Sequence, residues 1–88
     1  IRRSALGSAR DVALWGSYAY VADYDNGLRV IDVSTPSSPG EVGFYLTPTY
    51  ALGVAAVEDH VFVADRYSGL RVIDVSTPSA PVGTGRTI

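Results

Sequence analysis

The sequence contains no cysteine, no methionine and no lysine. Without cysteine there is no disulfide framework, no thiolate zinc site and no cysteine nucleophile. One histidine in the chain is too few to build a metal centre from imidazoles, and the expectation is no metal and no cofactor. The missing methionine leads us to expect a processed product, an excised fragment or a trimmed piece of a longer pattern. All seven basic residues are arginine, and nine carboxylates outweigh them to give a formal charge of −2. Such a balance leaves no electrostatic footprint for nucleic acid or for an anionic membrane. Apolar runs last only a few residues, far below the ~20 needed for a spanning helix. No signal-peptide pattern opens the chain, and membrane insertion is not expected. What is present points to a folded chain: 47% hydrophobic and 18% charged residues over 88 positions. That composition argues against disorder, and that length makes one small domain at most.

Self-similarity is the strongest feature. Shifted by 42 residues, 19 of 38 aligned pairs between positions 9–46 and 51–88 are identical without a gap. The run Gly27-Leu28-Arg29-Val30-Ile31-Asp32-Val33-Ser34-Thr35-Pro36-Ser37 recurs unchanged from Gly69 to Ser79. A block of that length at a constant offset is a tandem duplication of one structural unit. Residues 1–8 align with 43–50, the last part of a unit. This divides the chain into 1–8, a fourth strand of a preceding blade or a swapped strand, then units 9–50 and 51–88, the second with its last strand cut short.

Each unit reads as four short strands. The first is small and apolar (Ala9–Trp15, Ala51–Val57), and the second is rich in aromatic and β-branched residues (Tyr18–Asp23, His60–Asp65). Loops closed by Gly27 and Gly69, where a positive φ is expected, lead into the third strand (Leu28–Val33, Leu70–Val75). A Ser-Thr-Pro loop then precedes the fourth (Glu41–Leu46, Val82–Ile88), proline blocking any extension of the sheet. No window carries a capped helical period over ten residues. The third strand is apolar on both sides, Leu28 and Val30 one way, Ile31 and Val33 the other. A sheet with one wet face alternates; this one is expected between two like sheets. The fold class is therefore all-β: two four-stranded antiparallel meander blades of a β-propeller, a fold whose repeats run near 40–45 residues.

Tyr18-Ala19-Tyr20-Val21-Ala22-Asp23, followed by Gly27-Leu28-Arg29-Val30-Ile31-Asp32-Val33-Ser34 with a proline two residues on, resembles the LVIVD repeat. The second copy opens differently, with His60-Val61-Phe62. The resemblance covers nearly the whole chain and implies a β-propeller, often in large cell-surface or secreted proteins. It implies no shared catalytic residue and no shared ligand.

Two blades stacked alone leave two apolar faces uncovered, and repeat arrays need roughly three units. The ring is expected to be completed either by copies of the chain, three or four closing six or eight blades, or by neighbouring blades of a longer chain. A lone eight-stranded sandwich is the third arrangement.

A few residues carry groups capable of chemistry. Asp23-Tyr24-Asp25-Asn26-Gly27 starts like a calcium loop but has Gly27 where an oxygen ligand belongs and Ser34 where a glutamate belongs. His60 beside Asp59 lacks a nucleophile elbow, and no catalytic residue is assigned. Asp23, Arg29 and Asp32 repeat as Asp65, Arg71 and Asp74, which marks them as structural. Arg29 is expected to pair diagonally with Asp23, and Asp32 to accept from the amides of the following turn. Arg10 and Asp11 are expected to line a central channel.

The hairpin loop changes between units while its frame does not: Tyr24-Asp25-Asn26 becomes Arg66-Tyr67-Ser68. With the connection ending at Tyr50, these loops are expected to place Tyr24, Asp25, Asn26, Tyr50, Arg66 and Tyr67 on one rim. Tyrosine and arginine favour partner binding. The leading expectation is a non-enzymatic scaffold offering this rim to a protein or glycan. Beside it stand an active site built across a full ring, and a fragment or designed unit without a role of its own.

Overall fold

The computed structural model describes residues 7–87. It contains eight strands: β1 (Asp11–Trp15), β2 (Tyr18–Ala22), β3 (Leu28–Asp32), β4 (Gly40–Tyr45), β5 (Ala51–Val57), β6 (His60–Asp65), β7 (Gly69–Asp74) and β8 (Val82–Thr87). They form two antiparallel four-stranded meanders, β1-β2-β3-β4 and β5-β6-β7-β8. The expected strands are all present, with ends displaced by a residue or two. The duplication extends to irregularities. Each sheet slips register at the same place, between Val30 and Ile31 and between Val72 and Ile73. Gly27 and Gly69 have φ of 73° and 74°, as the hairpin loops require. A side chain at Gly27 would also collide with the Tyr45 carbonyl, so only glycine fits there. The expectation for residues 1–8 falls mostly outside the described residues.

The register fixes which side chains share a face. Tyr18, Tyr20, Ala22, Leu28, Val30 and Tyr45 of the first sheet point toward the second. They meet Val54, Ala56, Val61, Val63, Ile73 and Val75 of the second sheet, with Ala51 at its edge. Leu28, Val30, Ala51, Val61, Val63 and Ile73 are fully buried in this layer. The sheets approach most closely where β5 runs beside β1 and β2. Tyr45 reaches across the outer half to Gly83, and Gly43 lies against Pro78. Asp11 Oδ2 accepts the Val54 N–H at 3.0 Å, fastening the two first strands.

The other two faces are not equivalent. On the first sheet Ala19, Val21 and Ile31 form a small buried cluster with Val33, flanked by the exposed Val12, Leu14 and Phe44. On the second sheet Ala64, Leu70, Val57 and Val82 are exposed, with Phe62 and Val72 half-buried between them.

Candidate tyrosine rim

The rim is built where β2 and β6 run out into their hairpin loops. Asp23 ends the first of these strands and is fully buried. Its carboxylate accepts the N–H groups of Ser8 at 2.9 Å and Gly7 at 3.3 Å. Asp65 repeats the arrangement, accepting the Thr49 N–H at 3.0 Å. Each buried carboxylate thus holds the chain segment that enters its own blade; both oxygens of Asp23 accept a backbone N–H, whereas Oδ1 of Asp65 has no hydrogen-bond partner among the described residues.

These anchors bring the connection Leu46–Tyr50 beside both loops. Tyr24 bridges to Ala51 through two backbone hydrogen bonds of 3.0 and 2.9 Å, with its own φ at 52°. That bridge carries the Tyr24 ring onto Tyr50, stacked at 4.6 Å between centroids and 19° between planes. Tyr50 meets Tyr67 edge-on at 6.2 Å and 68°. The Arg10 guanidinium lies over Tyr24 at 4.2 Å, and that of Arg66 over Tyr67 at 5.1 Å. Aromatic pairs of this kind contribute about 0.5–1.5 kcal/mol beyond their buried area, and exposed cation–π contacts about 0.5–1 kcal/mol. The cluster is a pre-arranged patch of three rings and two guanidinium groups. Tyr67 is 69% exposed, Asp25 and Arg66 are also exposed, and Asn26 is half-buried beside them.

Arg10 lies just before β1 at the rim end of the sheet, its charge resting on the Tyr24 ring. One expectation needs correction: Arg29 does not pair with Asp23. Its register neighbour is Phe44 on the opposite face from the interlayer core, and its guanidinium meets Glu41 at 2.9 Å and the Phe44 ring at 5.0 Å. The carboxylate of Asp23 is already committed to backbone amides. Sequence reasoning missed Glu41 because its counterpart is Gly83, so the pair is not part of the repeat. Arg71 accordingly has no carboxylate at the equivalent place.

Asp32 accepts both the N–H (2.8 Å) and the hydroxyl (2.6 Å) of Ser34, and Asp74 accepts the Ser76 N–H at 2.8 Å. Hydrogen bonds from Ser34 and Ser76 hold these two carboxyls below the usual carboxylate range. His60 sits at the opposite end of β6 from the rim, across from Asp74.

A second concavity lies at that opposite end. It is an open cleft of about 410 Å³ between the blades, lined by Trp15, Tyr18, Tyr20, Glu58, Asp59 and Pro78 among others. Burial, reinforced by Tyr18 and Asp59, raises the Tyr20 phenol above its ordinary value, so it is neutral at physiological pH. Nothing in the repeat pattern announces this cleft, since its two walls come from different turns of different blades.

Comparison with curated proteins and with solved structures finds no match. The family model for the LVIVD repeat matches twice, over residues 6–47 and 48–87, each match holding one complete meander sheet. The duplicated frame, the paired register slips and these matches agree, and the chain belongs to the LVIVD repeat family.

Proposed function

We propose that the chain is a non-enzymatic binding module whose tyrosine rim recognises a protein surface or peptide bearing carboxylate groups. The stacked cluster of Tyr24, Tyr50 and Tyr67 under Arg10 and Arg66 supports this reading. Its rings and cations come from both hairpin loops and from the connection between blades, so the scaffold holds the patch rigid before any partner arrives. A pre-ordered patch loses little conformational entropy on binding. Among its exposed charges, two guanidinium groups outnumber the carboxylate of Asp25, which favours an acidic partner.

The stacking also separates peptide from sugar. A sugar ring docks on a free aromatic face. One face of Tyr24 is taken by Tyr50 and the guanidinium of Arg10 lies over the ring, so that ring offers little open face, and the exposed Tyr67 ring has Arg66 over it. What the rim offers is ring edges, hydroxyl tips and guanidinium groups, a set suited to carboxylates and peptide groups.

A peptide array and a glycan array probed with the same labelled chain test this. Wild-type protein is expected to bind acidic peptides and to lose affinity at least about fivefold in Tyr67→Ala and in Arg10→Ala, a loss typical of interface anchors. Binding confined to glycans, or peptide binding indifferent to both substitutions, refutes the reading.

A further inference from the structure

The contact between the two sheets is head-to-tail. The face that the first sheet buries carries Tyr20, Ala22, Leu28 and Val30. Its counterpart in the second sheet, Phe62, Ala64, Leu70 and Val72, lies on the uncovered side. The face that the second sheet buries carries Val61, Val63 and Ile73, and its counterpart in the first sheet, Ala19, Val21 and Ile31, points away from the contact. Every chain therefore presents an unused copy of each half of an interface it already makes internally. Heterologous contacts of this kind repeat until rotation closes them into a ring.

Two local features support a match between the unused halves. Inside the chain, Ala51 covers Leu28 and Ala22, and all three are fully buried. At the equivalent place on the second sheet, Leu70 is 38% exposed and Ala64 is exposed. There an apolar hollow of about 310 Å³ opens, lined by Leu52, Ala64, Asp65, Arg66, Gly69 and Leu70. The residue equivalent to Ala51 is Ala9, itself exposed.

Gly43 is the second feature. A side chain there would overlap the carbonyl of Pro78, with its Cβ 2.1 Å from the oxygen. Its counterpart Gly85 has only Val72 nearby, at 3.8 Å, and the counterpart of Pro78 is Pro36, in a loop of the first blade.

We propose that the uncovered face of the second sheet docks the first sheet of a second copy of this chain, Ala9 over Leu70 and Pro36 against Gly85, and that the contact repeats around a closed ring. With two blades per chain, rings of three or four chains fall at six or eight blades, inside the usual range.

Light-scattering mass on the purified full chain tests this. The expected value is three or four times the 9.3 kDa chain mass. Gly85→Val and, separately, Ala64→Arg are expected to return the mass to one chain with the β-sheet circular dichroism retained. Tyr67→Ala is expected to leave the assembly mass unchanged, so the fate of the rim reading does not decide this one. A single-chain or two-chain mass for the wild type, or an unchanged oligomer in both Gly85→Val and Ala64→Arg, overturns the proposal.

Discussion

Replacing Gly43 with alanine adds one methyl group at the tightest backbone contact between the blades. Its Cβ would lie 2.1 Å from the Pro78 carbonyl oxygen and 3.1 Å from the Ser79 Cα. Ordinary heavy-atom contact begins above about 3 Å, so the sheets must part locally by roughly 1 Å. The obstacle is backbone, and no rotamer change relieves it. Overpacking of this kind costs about 1–3 kcal/mol. The smaller conformational freedom of alanine in the unfolded chain offsets about 0.4–1 kcal/mol. The net cost is then up to about 2.6 kcal/mol; in a chain of this size each kcal/mol moves the melting temperature by about 4–8 °C, so a fall of up to roughly 20 °C is expected. Gly40 is the control: it opens the same strand, has no positive φ, and has nothing within 4 Å of an added Cβ. Gly40→Ala should leave the melting temperature unchanged or slightly raised. Thermal unfolding followed by circular dichroism, with all variants at one concentration, makes the comparison. If Gly43→Ala melts above the wild type, the two sheets are not stacked as described.

Acid unfolding reports the two turn carboxylates. Both Asp32 and Asp74 are lowered in the fold by hydrogen bonds from Ser34 and Ser76. Their stabilisation is complete above the ordinary value of 3.8 and is lost as pH falls through the lower folded values. An Asp32→Asn, Asp74→Asn double variant should therefore show a flatter stability curve below about pH 4. Urea midpoints between pH 2 and pH 6 measure it, and an unchanged acid slope counts against the turn contacts. In the interlayer core, Ile73→Ala should cost about 2–5 kcal/mol in urea unfolding, whereas the 61% exposed Leu46→Ala should cost under about 0.5 kcal/mol. Equal effects would show that the core lies elsewhere.

The features legible in the sequence are those the duplication shows twice. The strands, the positive-φ glycines of the hairpin loops and the two-sided apolar strand all follow from comparing a unit with its copy, and the gathering of tyrosines follows from where that frame puts the loops that differ. A period of 42 residues divided by turn residues at equal places leaves little freedom in topology. The pairing of Arg29 was not legible, because its partner Glu41 exists in one unit only. The seat of Arg10 on Tyr24 was not legible either: Leu52 and Arg66 hold the corresponding positions, so no second copy shows the contact. Side-chain contacts that differ between copies depend on three-dimensional proximity that spacing alone does not supply.

Apart from the differences in β1, β2 and the turn between them, two groups of differences set the two copies apart. One group lies in the hairpin loops and the connection, where Tyr24, Tyr50, Arg66 and Tyr67 assemble into a single patch. The other lies in β4 and β8, where Tyr45 and Gly83 fit each other across the internal contact. Were both sheets identical, Tyr45 would meet a glutamate at position 83, its hydroxyl colliding with the added side chain. Glycine there leaves the Tyr45 ring its place, and a larger residue would push that ring aside. Relief of that crowding explains the loss of the acidic partner from Arg71, while Arg29, on the face pointing away, keeps Glu41 at 2.9 Å. One steric demand at the interface between blades thus accounts for an electrostatic difference on two faces. A chain with Gly83 and Glu41 swapped would lose the Arg29 ion pair and place a carboxylate against Tyr45.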